Sequence, residues 1–249
     1  MRVLMIESDL TAARGVMAFL KLGGAVTDHI DTGAEAIELA RRYDYDIILL
    51  DLMIPDIEGY EILRRLRASR LDTPVVVMSG LTRPQAKVKA FSCGADDFIS
   101  KPFDTTELLA RMQAIIRRSK GYAQPTLYVG PLQLKLDVRE VLVGGRQVHL
   151  TAKEYAILEL LVLRRGMVLT KEAFLGHLYG GMDEPEAKII DVFICKLRKK
   201  LAEAGANNVI GTVWGRGYTV RDTSTVATEA LPLAPLQDAY PAVRELSVA

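Results

Sequence analysis

Residues 46–56 give the clearest indication of the fold; they read Asp46-Ile47-Ile48-Leu49-Leu50-Asp51-Leu52-Met53-Ile54-Pro55-Asp56. Residues 47–50 form a continuous apolar run, which is typical of a short strand buried on both faces of a parallel sheet. A carboxylate, Asp51, stands at the end of this run, and Pro55 and Gly59 then mark a loop before a helical pattern. Because ligands gather at the carboxyl ends of strands in such sheets, Asp51 is a candidate magnesium ligand, a nucleophile toward phosphate, or a simple helix cap.

The first 120 residues repeat this strand-then-helix pattern five times, which predicts a parallel sheet covered by helices on both faces. The predicted strands are 2–7, 25–30, 46–50, 75–78 and 97–100, and apolar positions such as Val88 and Phe91 mark the helices between them. Four strands end in polar residues that would meet at one edge: Glu7-Ser8-Asp9, Asp51, Ser79 and Lys101.

Any one of these polar positions alone would more often be a helix cap or a solvated side chain. Together they have a chemical logic. Carboxylates can hold Mg²⁺, the metal can neutralise a phosphoryl donor, and a lysine and a hydroxyl can bind the phosphate that results. This edge of the sheet therefore predicts nucleophilic attack by Asp51 on phosphorus.

Composition predicts a soluble protein of one large or two ordinary domains. The chain has 249 residues, of which 49% are apolar and 25% charged, and its net charge is only +1. No apolar run reaches the roughly 18 residues of a membrane span, and the acid at position 7 comes too early for a signal peptide, so we expect a cytoplasmic protein with no membrane partner. Residues 121–220 hold 13 Lys/Arg against 10 Asp/Glu, which weakly indicates a module that binds a polyanion.

After a polar linker at 119–126, short strands and helices alternate. Strands are predicted at 132–136, 141–143 and 147–150, the last two joined by Gly144-Gly145. Thr151 and Glu154 form a capping box before a first helix, and Thr170 precedes a second. A third helix is predicted at 186–201, with Pro185 in its first turn.

The third helix has two faces. Ile190, Ile194, Leu197 and Leu201 recur at helical spacing and should pack inward, whereas the opposite face is basic. Such a face suits the DNA major groove, although a solvated surface is the plainer explanation. A hairpin of 209–213 and 218–220 around Trp214-Gly215-Arg216-Gly217 offers Arg216 to a minor groove. The candidate DNA contacts are Lys188, Asp191, Val192, Cys195, Lys196, Arg198, Lys199 and Arg216.

Residues 1–118 resemble the receiver domain of response regulators. The resemblance implies a doubly wound, five-stranded, flavodoxin-like α/β domain with Asp51 as phosphoacceptor, Ser79 and Phe98 as switch residues, Lys101 as phosphate sensor and a cis Lys101-Pro102 bond. It also implies Mg²⁺ held by Glu7, Asp51 and the backbone of Met53. Ser8 stands where the family has its directly ligating acid, so Mg²⁺ should bind weakly. Asp9 is the alternative ligand, but it would more naturally cap the next helix.

Residues 127–221 resemble the α+β winged helix-turn-helix of the OmpR/PhoB subfamily, and residues 177–201 are most similar to the CtrA-type cell-cycle regulators. The resemblance implies a transcription factor that binds A/T-rich, TTAA-type paired half-sites on double-stranded DNA, is phosphorylated by a histidine kinase or phosphotransferase, and touches RNA polymerase through loop 179–185. It further implies a homodimer formed through charged receiver positions: Lys87, Asp96, Asp97, Glu107, Arg111 and Arg118. Residues 222–249 are expected to be a flexible tail.

Two alternatives stay open from the sequence. The first is a DNA-binding regulator whose receiver works without phosphate, since Ser8 weakens the predicted metal site. The second, far behind, is an aspartate-nucleophile phosphohydrolase. Such an enzyme usually carries an acid two residues after its nucleophile, whereas this chain has Met53 there and keeps a whole second module.

Overall fold

The computed structural model describes residues 1–180 and 184–221. These residues form two domains, each with its own sheet and apolar core. Within them, no helix is both long and apolar enough to cross a membrane. The predicted tail at 222–249 and residues 181–183 of the predicted polymerase-contacting loop lie outside the described residues.

The N-terminal domain contains a five-stranded parallel sheet in the order β2-β1-β3-β4-β5. Its strands are β1 Arg2–Ile6, β2 Val26–Ile30, β3 Ile47–Asp51, β4 Val75–Ser79 and β5 Asp97–Ser100. The helices are α1 Leu10–Leu22, α2 Gly33–Arg42, α3 Gly59–Ala68, α4 Pro84–Ser92 and α5 Thr105–Ser119. The central strand β3 is the apolar run singled out in the sequence, and it ends at Asp51.

Alternate residues of β1, β3 and β4 enter two separate cores. Leu4, Ile48 and Leu50 pack with α2, α3 and α4 on one face. Met5 and Leu49 pack with α1 and α5 on the other. Burial on both faces explains why these strands are continuously apolar rather than alternating.

The C-terminal domain begins with a four-stranded antiparallel sheet and ends with a hairpin. Its strands are β6 Thr126–Val129, β7 Leu132–Lys135, β8 Glu140–Val143, β9 Arg146–Gln147, β10 Ile210–Val213 and β11 Gly217–Val220. Its helices are α6 Ala152–Leu163, α7 Lys171–Tyr179 and α8 Lys188–Glu203. The capping box of Thr151 and Glu154 is confirmed, and positive φ angles at Gly144 and Gly145 fit the predicted tight turn.

Three elements differ from the sequence prediction. Strand β6 was not predicted, and the strand predicted at 147–150 ends at Gln147 because the chain turns into the cap of α6. Helix α8 begins at Lys188, so Pro185 precedes it. The carbonyls of Glu186 and Ala187 accept hydrogen bonds from the amides three residues later, which forms a tight turn before the helix.

The two domains meet at the amino-terminal edge of the parallel sheet, opposite Asp51. Arginines from both domains make polar contacts across this interface. They are Arg164 to Asp44 at 3.6 Å and to Asp46 at 3.8 Å, Arg2 to the carbonyl of Gly180 at 3.4 Å, and Arg139 to the carbonyl of Gly23 at 2.7 Å.

His177 of α7 is buried within this interface. Its Nδ1 lies 3.4 Å from Oδ2 of Asp46, and its Nε2 lies 3.1 Å from the α-amino group of Met1. Burial lowers the pKa of His177 to about 3. The ring is therefore neutral at physiological pH, with Nε2 as acceptor and Nδ1 carrying the proton, an assignment made from the hydrogen-bond partners.

We expect the docked arrangement to weaken as pH falls from about 7 to about 5. Once the domains separate, the imidazole regains an ordinary pKa of about 6.5 and takes up a proton that the buried ring excludes. The contribution of neutral His177 to the free energy of docking is thus complete above a pH of about 6.5 and is lost as the pH falls below it. Energy transfer between dyes on the two domains measures the effect, and His177→Gln should remove it.

Glu159 lines the cavity at this domain interface, together with His177 and Asp46. Burial raises the pKa of Glu159, so this residue favours docking as the pH falls, which is opposite to the effect of His177. It is present in both the parent and the His177→Gln variant, and the difference between their pH curves therefore isolates His177. Superimposable curves would contradict the role assigned to the imidazole.

Candidate phosphorylation site and DNA-binding surface

Three charged side chains converge at the carboxyl ends of three strands of the parallel sheet. Glu7 follows β1, Asp51 ends β3 and Lys101 follows β5. The ammonium group of Lys101 lies 2.5 Å from Oε2 of Glu7 and 2.5 Å from Oδ2 of Asp51. Both carboxylates are buried, with exposed fractions of 1% for Glu7 and 6% for Asp51. One cation is therefore shared by two buried anions.

This sharing fixes the charge of Lys101. Burial alone would lower the pKa of the ammonium, but hydrogen bonds to Asp51 and Glu7 outweigh burial, and the pKa is raised above its ordinary value. The lysine stays charged and holds the two carboxylates together.

The two predicted switch residues lie on β4, which adjoins β3, and on β5, the next strand out. Ser79 ends β4, one residue after Met78, which pairs with Asp51 across the sheet. Its hydroxyl oxygen is fully buried and accepts the amide of Leu81 at 3.1 Å. Phe98 of β5 is buried with the ammonium group of Lys87 5.5 Å from its ring centroid, and the Lys101–Pro102 bond is cis.

Ser8 and Asp9 have distinct positions beside this pocket. The hydroxyl of Ser8 donates to the carbonyl of Met53 at 3.1 Å, and that carbonyl is one of the predicted metal ligands. The carboxylate of Asp9 accepts the amides of Thr11 and Ala12 and so caps α1. These hydrogen bonds, from the amide of Ala12 most strongly and from that of Thr11 less so, lower the pKa of Asp9 below its ordinary value. Asp9 thus takes the helix-capping position that its sequence context indicates.

The residues present fit a magnesium ion that keeps part of its water shell. The carboxylates of Glu7 and Asp51 already converge on one cationic position, and oxygen is the ligand that Mg²⁺ prefers. Among residues 1–180 and 184–221, no cluster of three or more His, Cys, Asp or Glu side chains is placed to hold a metal. The ligand set of two carboxylates and the Met53 carbonyl therefore stays a prediction.

In the C-terminal domain, α8 presents an exposed face that is rich in lysine. Its inner face, Ile190, Ile194, Leu197 and Leu201, is buried as predicted. Five of the predicted DNA contacts on this helix are exposed: Lys188, Val192, Cys195, Lys196 and Lys199.

The other two predicted contacts on α8 have partners inside the domain. The carboxylate of Asp191 accepts Lys171 Nζ at 2.7 Å and the hydroxyl of Tyr218 at 2.6 Å, and the lysine bond lowers its pKa. The guanidinium of Arg198 donates to the carbonyl of Ile210 at 3.0 Å and to Thr212 Oγ1 at 2.8 Å. These bonds connect α8 to α7 and to the β10–β11 hairpin. Arg216, the remaining predicted DNA contact, is exposed at the tip of that hairpin.

Comparison with known proteins matches both halves of the chain. Residues 3–113 match the response regulator receiver domain, and residues 145–220 match the C-terminal domain of transcriptional regulatory proteins. A cell cycle response regulator, CtrA of Brucella anthropi, is 54% identical over 231 residues, which cover 92% of this chain and 100% of that protein.

The chain belongs to the response regulators of the OmpR/PhoB type. CtrA of Brucella ovis is likewise 54% identical over 92% of this chain and 100% of its own length. Among solved structures, response regulator DrrB, an OmpR/PhoB homologue from Thermotoga maritima, is 28% identical, covers 88% of this chain and 98% of its own, and has a TM-score of 0.43. This response regulator is therefore a DNA-binding transcription regulator switched by phosphorylation.

Several predicted dimer residues of the receiver have partners within the chain. Arg111 of α5 contacts Asp97 at 3.0 Å and Glu107 at 2.7 Å, and Arg118 is exposed further along the helix. The carboxylate of Asp96 accepts Arg67 at 2.8 Å.

Sequence reasoning missed two exposed apolar residues on this side of the receiver. Val88 and Phe91 of α4 fit a helical pattern, but they are 64% and 47% exposed, and the buried residue of that helix is Ala90. Their spacing of three places them on one helix face, and a core-facing stripe would have the same spacing. The sequence carries no signal that separates the two cases.

Ser8→Asp should tighten Mg²⁺ binding roughly tenfold, since it adds a carboxylate and removes the hydroxyl that occupies the Met53 carbonyl. Isothermal titration of the full-length response regulator measures the affinity. Asp9→Ala is the matched control: it removes a neighbouring carboxylate that caps α1, so it should lower the melting temperature and leave Mg²⁺ affinity unchanged. A large loss of affinity in Asp9→Ala would make Asp9 the ligand instead.

Proposed function

We propose that Asp51 is the phosphoacceptor of this response regulator and that its phosphorylation controls DNA binding. The observation that carries the proposal is the shared contact of Lys101 with Glu7 and Asp51. A nucleophilic carboxylate must be accessible to a donor and must have its charge balanced afterwards. Asp51 ends the central strand, next to the cation that can pair with a new phosphate.

Receiver domains generally bind Mg²⁺ at the phosphorylation site. Here the carboxylates of Glu7 and Asp51 and the carbonyl of Met53 would hold the ion, which supplies positive charge against the incoming phosphoryl group. The chain's own residues supply the rest. Asp51 offers the attacking oxygen, Lys101 pairs with the phosphate formed, and Ser79 offers a hydroxyl from the adjoining strand. Phe98 is the aromatic residue of β5 whose side chain would change position when Asp51 is phosphorylated.

The proposed DNA contacts are the exposed face of α8 in the major groove and Arg216 in the minor groove. Lys188, Lys196 and Lys199 suit phosphates and base edges, and Val192 and Cys195 suit a close apolar approach. Asp191 and Arg198 would act mainly by holding α8 in place, since both have partners within the domain. A/T-rich paired half-sites are the proposed targets.

A histidine kinase is the partner that the family implies, and a phosphotransferase is a further candidate donor. We propose receiver dimers formed through charged residues of both signs, because an isologous contact must be self-complementary: Lys87, Asp96, Asp97, Glu107, Arg111 and Arg118. The named relatives are cell cycle response regulators, and we propose a similar regulatory role for this chain in the cytoplasm. RNA polymerase is a proposed partner of the loop before α8.

We expect a small phosphodonor with Mg²⁺ to raise the affinity of the parent protein for paired half-sites roughly tenfold, within the usual range of coupling between two sites. Asp51→Ala should not respond. Asp72→Ala removes an exposed carboxylate from a loop of the same domain and should respond as the parent does. Fluorescence anisotropy of labelled duplex measures the affinity.

Sedimentation tests assembly. The parent protein treated with phosphodonor and Mg²⁺ should dimerise, whereas the Arg118→Glu variant treated in the same way should not. An Asp51→Ala protein that still responds to the donor would place the phosphoacceptor elsewhere. A parent that binds DNA equally with and without donor would favour regulation that does not depend on phosphate.

Lys196→Ala should weaken binding to all duplexes and reduce the slope of log affinity against log salt by about one, because one phosphate contact is lost. Lys21→Ala, which removes an exposed lysine of α1, is the matched control and should leave the slope unchanged. Equal slopes for parent and Lys196→Ala would argue against the docking of α8 on DNA.

A further inference from the structure

A cavity lies between the two domains, at the amino-terminal edge of the parallel sheet. The receiver lines it with Ile116 of α5, and the C-terminal domain lines it with Leu136 and Leu163. Its volume of about 40 Å³ admits about three water molecules or one organic molecule of similar size, since one water needs roughly 10 to 15 Å³. Apolar side chains from both domains favour an occupant that has an apolar part.

Basic side chains outnumber acidic ones in the lining of this cavity. Both domains contribute to the basic set, which consists of Arg117, Lys120, Arg139 and Arg164. The two acids are Asp46 and Glu159. Asp46 already accepts the amide of Arg2 at 2.7 Å and contacts His177, and burial raises the pKa of Glu159, which weakens it as a counter-anion. The cavity therefore has an excess of positive charge.

Two of the arginines that line the cavity are incompletely paired. The Nε groups of Arg117 and Arg164 are buried, and neither has an acceptor among the residues that the structure describes. The terminal nitrogens of Arg164 lie 3.6 Å from Asp44 and 3.8 Å from Asp46, distances that are too long for hydrogen bonds. Buried donors are nearly always paired in folded proteins, so these guanidinium groups lack an acceptor that a ligand can supply.

A small organic carboxylate has the chemistry that this lining requires. Its two oxygens only accept hydrogen bonds, and they match the fork of donors on a guanidinium group. Its hydrocarbon part suits the apolar side chains of the cavity. Inorganic phosphate would place some of its oxygens against those apolar side chains without donors, at a cost in desolvation. A nucleotide is larger than the cavity.

We propose that the cavity between the domains binds an organic carboxylate of about two to four carbon atoms, with its oxygens at Arg117 and Arg164 and its hydrocarbon part against the apolar side chains. Because such a ligand contacts both domains, its binding favours the docked arrangement by mass action. The inference goes beyond the proposed function, since it depends neither on phosphorylation of Asp51 nor on the DNA contacts of α8.

Saturation-transfer NMR of the full-length response regulator with butyrate measures this binding directly. Butyrate should give a saturable signal, whereas butyramide, which has nearly the same shape and no charge, should not. Arg117→Gln should weaken butyrate binding roughly tenfold, because it removes a charge-assisted hydrogen bond. Arg14→Gln removes an exposed arginine of α1 and is the matched control, which should bind butyrate as the parent does.

Energy transfer between dyes on the two domains, followed during a urea titration, supplies the second measurement. Butyrate should raise the urea concentration at which the domains of the parent separate, and sodium chloride at the same concentration controls for ionic strength. Leu163→Phe fills the cavity and keeps every charge, so it should abolish butyrate binding and the effect of butyrate on separation. Circular dichroism checks that each variant is folded.

Four results would overturn the proposal. The first is no saturable butyrate signal up to roughly 50 mM, a range that covers the weak affinity of so small a ligand. The second is equal binding of butyrate and butyramide, which would exclude selection of an anion. The third is unchanged binding in both Arg117→Gln and Leu163→Phe, which would place butyrate elsewhere. The fourth is displacement of butyrate by an equal concentration of inorganic phosphate, which would assign the cavity to an inorganic anion.

Discussion

Two buried carboxylates that share one ammonium group impose a constraint on the whole receiver. Glu7 and Lys101 follow β1 and β5, and Asp51 ends β3; removing Lys101 would leave two buried carboxylates without a counter-charge. The strand order β2-β1-β3-β4-β5 brings these strand ends to one edge. If Asp51 is the phosphoacceptor, as proposed above, phosphorylation would add negative charge at this point and would change the charge balance of Lys101. Ser79 ends β4, the strand next to β3, and Phe98 lies on β5, one strand further out.

The opposite end of the same sheet carries the domain contact. Strand β3 begins immediately after Asp46, which faces Arg164 and His177 of the C-terminal domain, and it ends at Asp51. The docked domains nevertheless leave the lysine face of α8 exposed. Simple occlusion of the DNA-binding helix therefore does not describe this arrangement. The contact restricts where the second domain sits, and in a dimer that restriction decides whether two α8 helices can meet paired half-sites.

Much of this site could be predicted because strand ends and helix caps are local. The apolar run that ends at Asp51 predicts both strand β3 and the edge of the sheet at which Asp51 lies. Asp9 caps α1, as its position just before a helix indicates. Contacts between distant segments could not be predicted. The bond from Ser8 to the Met53 carbonyl and the pairing of Asp96 with Arg67 join residues far apart in sequence. Val88 and Phe91 show the same limit, since helical spacing does not tell which face a domain leaves open.

The polar residues of α8 form two groups: some bond to other parts of the domain, and others are exposed. A helix that inserts into DNA must be held by something other than the DNA, or binding would have to order it first. Asp191 bonds to Lys171 and Tyr218, and Arg198 bonds to the β10–β11 hairpin. The ring of Tyr218 also meets Phe174 of α7 edge to face, with 6.3 Å between centroids. Helix α8, the preceding helix α7 and the hairpin are thereby fixed to one another, and the exposed lysines of α8 and Arg216 lie on elements whose relative positions are set within the domain.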